Sequence, residues 1–88
     1  MSIEDRIKKL NIRLPEPKEP VGAYVASKVA GNLLFISGQI SIDEKGVLIL
    51  GKLGENLTTE EGYNAAKRCA LSIIAHVKSA CKNDFSKI

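Results

Sequence analysis

The amino-terminal residues carry a helical pattern that ends at prolines. Residues 3–10 place an apolar residue at every third or fourth position, which predicts a short helix with one apolar face. Ser2 stands where a helix cap is expected, and acidic residues follow it in the first turn. Residues 15–20 contain three prolines in six positions, so the helix must stop there. We expect this proline-rich arm to lie extended over the domain.

The next part of the chain predicts strands. Residues 22–30 alternate between two faces, and Gly31 with Asn32 then forms a two-residue turn that tolerates positive φ. Residues 33–36 are apolar on both faces, which is typical of a central strand that is covered on both sides. A third strand is expected over residues 47–50, and residues 85–88 could begin another one.

A long helix is predicted from Thr58 to about Cys81. Thr58 and Glu61 match a capping box, with Thr58 at the cap and Glu61 three residues later. The stripe expected to pack on the sheet is Gly62, Ala66, Cys69, Ala70, Ile73, Val77 and Ala80. One helix covers only one face of a sheet. The second cover for residues 33–36 must therefore come from another chain or from polypeptide that is missing here.

Length and composition set the class of protein. Eighty-eight residues allow a single domain, and 44% hydrophobic with 26% charged residues are ordinary values for a folded protein. The longest apolar runs are too short for a membrane span, and the amino end does not resemble a signal peptide. The single domain 1–88 divides into a helix and arm (1–20), strands (21–57) and a main helix (58–82).

Charge and cysteine content narrow the expected partners. The net charge is +3, but the 13 basic residues are scattered and only four aromatic residues accompany them, so a nucleic acid partner is not expected. Neither a membrane partner nor a metal or other cofactor is expected. Cys69 and Cys81 are too few for a disulfide scaffold or a four-ligand zinc site, and they lie 12 positions apart on one helix, about 18 Å. We therefore expect free thiols and a cytoplasmic location.

The clearest candidate for a functional site is Ser37-Gly38-Gln39, at the carboxyl end of the apolar strand. A hydroxyl and unobstructed backbone amides at a sheet margin can bind a carboxylate or a carbonyl oxygen. The alternative is a bulge or turn in which Gly38 serves only the conformation of the chain. Tyr24 can line a pocket or pack as an ordinary aromatic residue. His76, the only histidine, is expected at a subunit or sheet contact rather than as a general base.

These residues, in this order, resemble a known family. The segments Ala23-Tyr24-Val25 and Gly31-Asn32-Leu33-Leu34-Phe35-Ile36-Ser37-Gly38-Gln39-Ile40, then a turn, Gly51 and a helix with Ala65-Ala66, are similar to those of the RidA family. This family is also called YjgF/YER057c/UK114, "L-PSP endoribonuclease" or "translation initiation inhibitor". The amino-terminal helix and the proline arm look like its longer-armed bacterial subfamily.

The resemblance implies a fold, an assembly and an activity. The fold is α+β and chorismate-mutase-like, a mixed β-sheet with helices on one face, here cut to the first strands and the main helix. Family members form homotrimers with pockets between subunits, and the best-characterised ones hydrolyse enamines and imines such as 2-aminoacrylate to 2-oxo acids and ammonia. By motif, Tyr24, Ser37, Gly38 and Gln39 correspond to substrate-binding positions for an enamine, imine or 2-oxo acid ligand, and no cofactor is implied.

The chain departs from the family in one respect that matters for catalysis. The family's carboxylate-clamping arginine and its water-positioning acid lie in the carboxy-terminal half, and this chain resembles only the amino-terminal part. Arg13 and Arg68 do not occupy the matching motif. No catalytic residue is therefore assigned. Three functions stay open: a deaminase that is incomplete in this chain, a non-catalytic ligand-binding or assembly module, and an endoribonuclease or translation inhibitor.

Overall fold

The computed structural model describes residues 2–17 and 22–88. Two α-helices, one β-hairpin and a short 3₁₀ helix make up the described regular structure. In chain order they are α1 (Ile3–Lys9), β1 (Ser27–Ala30), β2 (Leu33–Ile36), α2 (Thr59–Ala80) and the 3₁₀ helix (Phe85–Lys87). Part of the predicted proline arm, residues 18–20, lies outside the described residues. None of the described helices is long and apolar enough to cross a membrane.

Both helices begin at the residues that the sequence predicts. The hydroxyl of Ser2 accepts the backbone N–H of Asp5 at 3.1 Å, and Asp5 accepts the N–H of Ser2 in return. The hydroxyl of Thr58 accepts the N–H of Glu61 at 3.1 Å, and Glu61 accepts the N–H of Thr58 at 2.9 Å. Each capping box satisfies backbone groups that have no partner inside the helix, which fixes where the helix starts.

The predicted hairpin is present, with a shorter first strand. β1 and β2 pair antiparallel, from Ala30 opposite Leu33 to Ser27 opposite Ile36. The turn between them has φ of +63° at Gly31 and no positive φ at Asn32, the pattern of a type II′ turn. The first strand starts at residue 27 rather than at 22.

The predicted third strand does not form. Residues 41–49 instead form a loop that folds back on itself. A single antiparallel β-bridge joins Ile42 to Leu48, on either side of a turn that Asp43 stabilises. The Asp43 carboxylate accepts the N–H groups of Lys45 and Val47, each at 2.9 Å. Gly51 then takes a φ of +146°, which turns the backbone out of the extended conformation soon after the bridge. The described sheet therefore has two strands and not three.

The buried face of α2 is not the face that the small-residue stripe predicted. Leu71 and Ala75 are buried, and so is His76. Ala70 and Ile73, at the centre of the predicted stripe, are exposed. Apolar residues lie on more than one face of this helix, so spacing alone does not identify the side that packs on β2.

The carboxy-terminal residues form a 3₁₀ helix where a strand was expected. Lys82 and Asn83 take positive φ and end α2, and Asp84 then caps the short helix by accepting the N–H of Ser86. The side chain of Phe85 is buried, and its N–H donates to Oε1 of Glu4 in α1 at 3.2 Å. The prediction of a strand over 85–88 is wrong, because this segment winds into a 3₁₀ helix that packs beside α1 and buries the side chain of Phe85.

The covering expected for β2 is absent from the described structure. Leu33 and Phe35 are 59% and 56% exposed, whereas Leu34 and Ile36 are half-buried on the side of α2. Only three hydrophobic side chains, Leu71, Ala75 and Phe85, are buried among the described residues. The packing of this chain therefore leaves much of its apolar surface uncovered.

Candidate functional site

Ser37 extends the hairpin by one residue beyond β2. Its N–H donates to the carbonyl oxygen of Ala26 at 3.0 Å, and its hydroxyl donates to the same oxygen at 3.1 Å. The two bonds hold the half-buried side chain in one orientation. The hydroxyl oxygen keeps its lone pairs, so it can still accept a hydrogen bond from a ligand.

Gly38 and Gln39 follow Ser37, and their backbone N–H groups can donate hydrogen bonds to a ligand. The side-chain amide of Gln39 donates to the carbonyl of Ser37 at 3.1 Å, which leaves its Oε1 available as an acceptor. Among the described residues, the backbone N–H groups of Gly38 and Gln39 have no acceptor. Gly38 has no positive φ, and a Cβ built there meets no atom within 4 Å. Neither backbone conformation nor crowding inside this chain therefore requires a glycine at this position.

A groove of ≈ 1400 Å³ brings the predicted site residues together. Its walls are the segment 11–17, the segments 37–40 and 42–46, and one face of α2. Tyr24, Ser37, Gly38 and Gln39 all line it, and Tyr24 is half exposed there. The four residues named from the sequence therefore border a single space in the structure. This volume exceeds the roughly 300–1,000 Å³ of ordinary small-molecule pockets, so the groove is wider than a pocket that encloses a small ligand.

Charged side chains from two elements meet along the groove. The Nε–H of Arg68, on α2, donates to the carbonyl of Ile42 at 2.8 Å. The hydrogen bond from the N–H of Val47 lowers the pKa of Asp43, and the N–H and charge of Lys45 and the charge of Arg68 act in the same direction. Asp43 is thus held as a carboxylate, chiefly by the backbone N–H groups of its own turn, which suits it as a structural anion rather than a proton donor.

His76, which the sequence analysis expects at a subunit or sheet contact, is buried on α2. The side chain is 8% exposed and lines the groove, and it has no hydrogen-bond partner among the described residues. No fully buried side-chain nitrogen or oxygen among the described residues lacks a partner, so neither ring nitrogen of His76 is completely buried.

No metal centre is formed by the described residues. Within ranges 2–17 and 22–88, no three histidine, cysteine or acidic side chains lie close enough to hold an ion. Cys69 and Cys81 are both free and half-buried.

The groove offers a ligand the hydrogen-bonding groups of Ser37, Gly38 and Gln39 and the positive charge of Arg68. This set of groups suits an oxygen-rich small molecule.

Comparison with known proteins identifies the family. A family model described as "YjgF/chorismate_mutase-like, putative endoribonuclease" matches residues 4–88. The chain belongs to this family. The RidA resemblance seen in the sequence is thereby confirmed, and so is the α+β, chorismate-mutase-like fold.

Individual relatives agree with the family match. "Protein TCP17" from Trypanosoma cruzi is 35% identical over 74 residues, which cover 84% of this chain and 46% of that protein. The crystal structure of Atu1372 from Agrobacterium tumefaciens is 36% identical, with a TM-score of 0.79 over 98% of this chain and 52% of its own. The structure of a "putative endoribonuclease" from Shewanella oneidensis is 34% identical, with a TM-score of 0.82 over 90% and 52%. The chain spans about half the length of these YjgF-family relatives.

Proposed function

We propose that this chain supplies the Ser37-Gly38-Gln39 part of a binding site for an enamine, an imine or the corresponding 2-oxo acid. The observation that carries the proposal is the row of hydrogen-bonding groups on one wall of the groove. These are the Ser37 oxygen and the N–H groups of Gly38 and Gln39, which find no acceptor in the part of the chain that the structure describes. Such groups can hold a carboxylate or carbonyl oxygen, the polar end of every ligand in this class.

The chain by itself is proposed to bind such a ligand without turning it over. Hydrolysis of a 2-imino acid adds water to the imine carbon and releases ammonia, leaving a carbonyl. The reaction needs a fixed cation for the carboxylate and an acid or base for the water. In the groove, Arg68 already bonds to Ile42, and Asp43 is held as a carboxylate. By resemblance, the family's clamp and acid lie in the half that this chain does not span.

A serine pair within the chain offers a sharp test. Ser37 and Ser41 are both half-buried, and each hydroxyl donates to a backbone carbonyl at 3.1 Å, but only Ser37 lines the groove. We expect pyruvate, followed by amide NMR, to shift the signals of Gly38 and Gln39 in the wild-type chain and in Ser41→Ala. In Ser37→Ala the shifts should shrink severalfold. Equal shifts in both variants, or none in the wild type, would contradict the proposal.

RNA cleavage is the second candidate, because the matching family and the Shewanella protein both carry the name endoribonuclease. The feature that would serve it is His76, whose side chain lines the groove and could take a proton from a ribose hydroxyl. Incubation of single-stranded RNA with the chain and with His76→Gln separates the two functions. Cleavage by the wild type that is lost in the variant would favour this candidate over ligand binding.

We also propose that the chain forms a homotrimer in the cytoplasm. The support is the exposed apolar face of the hairpin, with Leu33 and Phe35 more than half exposed, since such patches are rarely left bare on a monomer. The trimeric state follows from the family resemblance, and the free cysteines agree with a reducing compartment. Sedimentation at micromolar concentration tests the assembly. A folded, stable monomer would contradict it.

A further inference from the structure

Three polar side chains of α2 line the groove at intervals of one helical turn. Arg68, Ser72 and His76 are four residues apart and form a row about 12 Å long, which we call the α2 row. The side of a helix that packs on a sheet is usually apolar, whereas α2 carries this row beside the buried Leu71 and Ala75. Packing alone therefore does not account for the polar groups on this side of the helix.

His76 and Ser72 supply hydrogen-bonding groups that have no partner. The side chain of His76 is 8% exposed and lines the groove, yet it forms no hydrogen bond within residues 2–17 and 22–88. The hydroxyl of Ser72, which is half-buried, has no partner in these residues either. Polar groups buried to this degree are normally hydrogen-bonded. A polar group of a ligand that enters the groove can satisfy them.

Arg68 supplies a positive charge that is held in place and is still available. Its Nε–H donates to the carbonyl of Ile42 at 2.8 Å, which leaves the N–H groups of its two terminal nitrogens without an acceptor in the described part of the chain. No carboxylate of the described residues lies within 4.0 Å of this guanidinium, Asp43 included. A fixed guanidinium with free donors is well suited to bind a carboxylate.

The α2 row and the Ser37-Gly38-Gln39 motif are two separate sets of oxygen-binding groups in one groove. At ≈ 1400 Å³ the groove has more room than a ligand as small as pyruvate fills. We propose that the α2 row binds an acidic group at the far end of a ligand whose 2-oxo or 2-imino acid end lies at Ser37-Gly38-Gln39. The ligand is thus a 2-oxo acid, or its imine, that carries a second carboxylate. This inference rests on the function proposed above and specifies the ligand of that site.

The test compares ligands of equal length with and without a second carboxylate. 2-Oxoglutarate and 2-oxopentanoate share the 2-oxo acid end and the number of carbons, and 2-oxoadipate and 2-oxohexanoate repeat the comparison with one more carbon. In amide NMR titrations we expect every ligand to shift Gly38 and Gln39, and only the dicarboxylates to shift Ser72 and His76. At least one dicarboxylate should bind about tenfold more tightly than the monocarboxylate of the same length, since a hydrogen bond to a charged group usually contributes that much.

Substitutions on α2 separate the two ends of the ligand. Ser72→Ala and His76→Phe each remove a hydrogen-bonding group of the α2 row, whereas Ser79→Ala changes a serine of the same helix that does not line the groove. We expect the preference for the dicarboxylate to fall to about threefold or less in the first two variants and to persist in Ser79→Ala. Because both ligands are measured on each variant, a general loss of folding would weaken both and leave their ratio unchanged.

The outcomes distinguish this inference from the function on which it rests. The inference fails if the dicarboxylates bind no more tightly than the monocarboxylates. It also fails if the preference is as large in Ser72→Ala and His76→Phe as in Ser79→Ala. In both cases, shifts at Gly38 and Gln39 would still support the proposed function. If no ligand shifts Gly38 or Gln39, the proposed function fails, and this inference fails with it.

Discussion

Arg68 is predicted to fix the position of the segment that follows the candidate site. Its Nε–H donates to the carbonyl of Ile42 at 2.8 Å, across 26 positions of sequence. Among the described residues, this is the side-chain hydrogen bond that joins α2 to the loop after Gln39. Arg68→Ala therefore removes a charged donor, leaves the Ile42 carbonyl to water, and exposes apolar surface that the arginine stem covered.

The size of the effect follows from burial. A hydrogen bond from a charged donor contributes about 1.5–3 kcal/mol when it is well buried. Arg68 is only half-buried, so water replaces part of the bond, and we expect the free energy of unfolding to fall by about 1–2 kcal/mol. Lys67 is the matched control, since it also lines the groove and carries the same charge but is exposed. Lys67→Ala should cost no more than about 0.5 kcal/mol.

Urea unfolding followed by circular dichroism measures both variants. Amide NMR adds a local readout, since Arg68→Ala should shift the signals around Ile42. The pKa of Asp43 should rise only slightly in this variant, because the hydrogen bond from the N–H of Val47, which is the main cause of the lowered pKa, stays in place. Arg68→Lys keeps the charge and should leave the pKa of Asp43 lowered. Equal destabilisation by Arg68→Ala and Lys67→Ala, with no shift at Ile42, would refute the reasoning.

The other predictions concern catalysis, thiols, pH and the core. The chain alone should release pyruvate from freshly generated 2-aminoacrylate no faster than buffer does, since a missing acid or base costs about 10²–10⁴ in rate; a clear acceleration would contradict this. Titration of the denatured protein without reductant should find Cys69 and Cys81 both free, and a bridge between them would show that the helix assignment is wrong. Hydrogen bonds from the backbone and the hydroxyl of the helix cap lower the pKa of Glu61 from 4.5. Its share of the stability is therefore complete above the unfolded pKa and lost as pH falls through the lowered folded value, so Glu61→Gln should flatten acid unfolding in that range. Phe85→Ala should cost about 3–5 kcal/mol because the side chain is buried, whereas Ile88→Ala, at an exposed position, should change little in the same urea assay.

The sequence by itself determined the features that depend on near neighbours. Ser2 and Thr58 cap helices because the groups they bond lie three residues away, and Gly31 permits the hairpin turn because the turn is two residues long. The Ser37-Gly38-Gln39 motif was recognised for a similar reason: it follows directly on an apolar strand. These are short-range relations, and the order of residues is enough to establish them.

Tertiary structure decided the features that depend on distant partners. The buried face of α2, which includes Leu71 and Ala75, is set by the packing of that helix against the rest of the chain, β2 included, because apolar residues lie on several of its faces. Phe85 is apolar and β-prone in sequence, but its side chain is buried in a 3₁₀ helix whose N–H at this residue bonds to Glu4, 81 positions away. Whether a side chain is buried depends on which elements pack against each other. Only that packing could bring His76 and Arg68 into the same groove as the Ser37-Gly38-Gln39 motif.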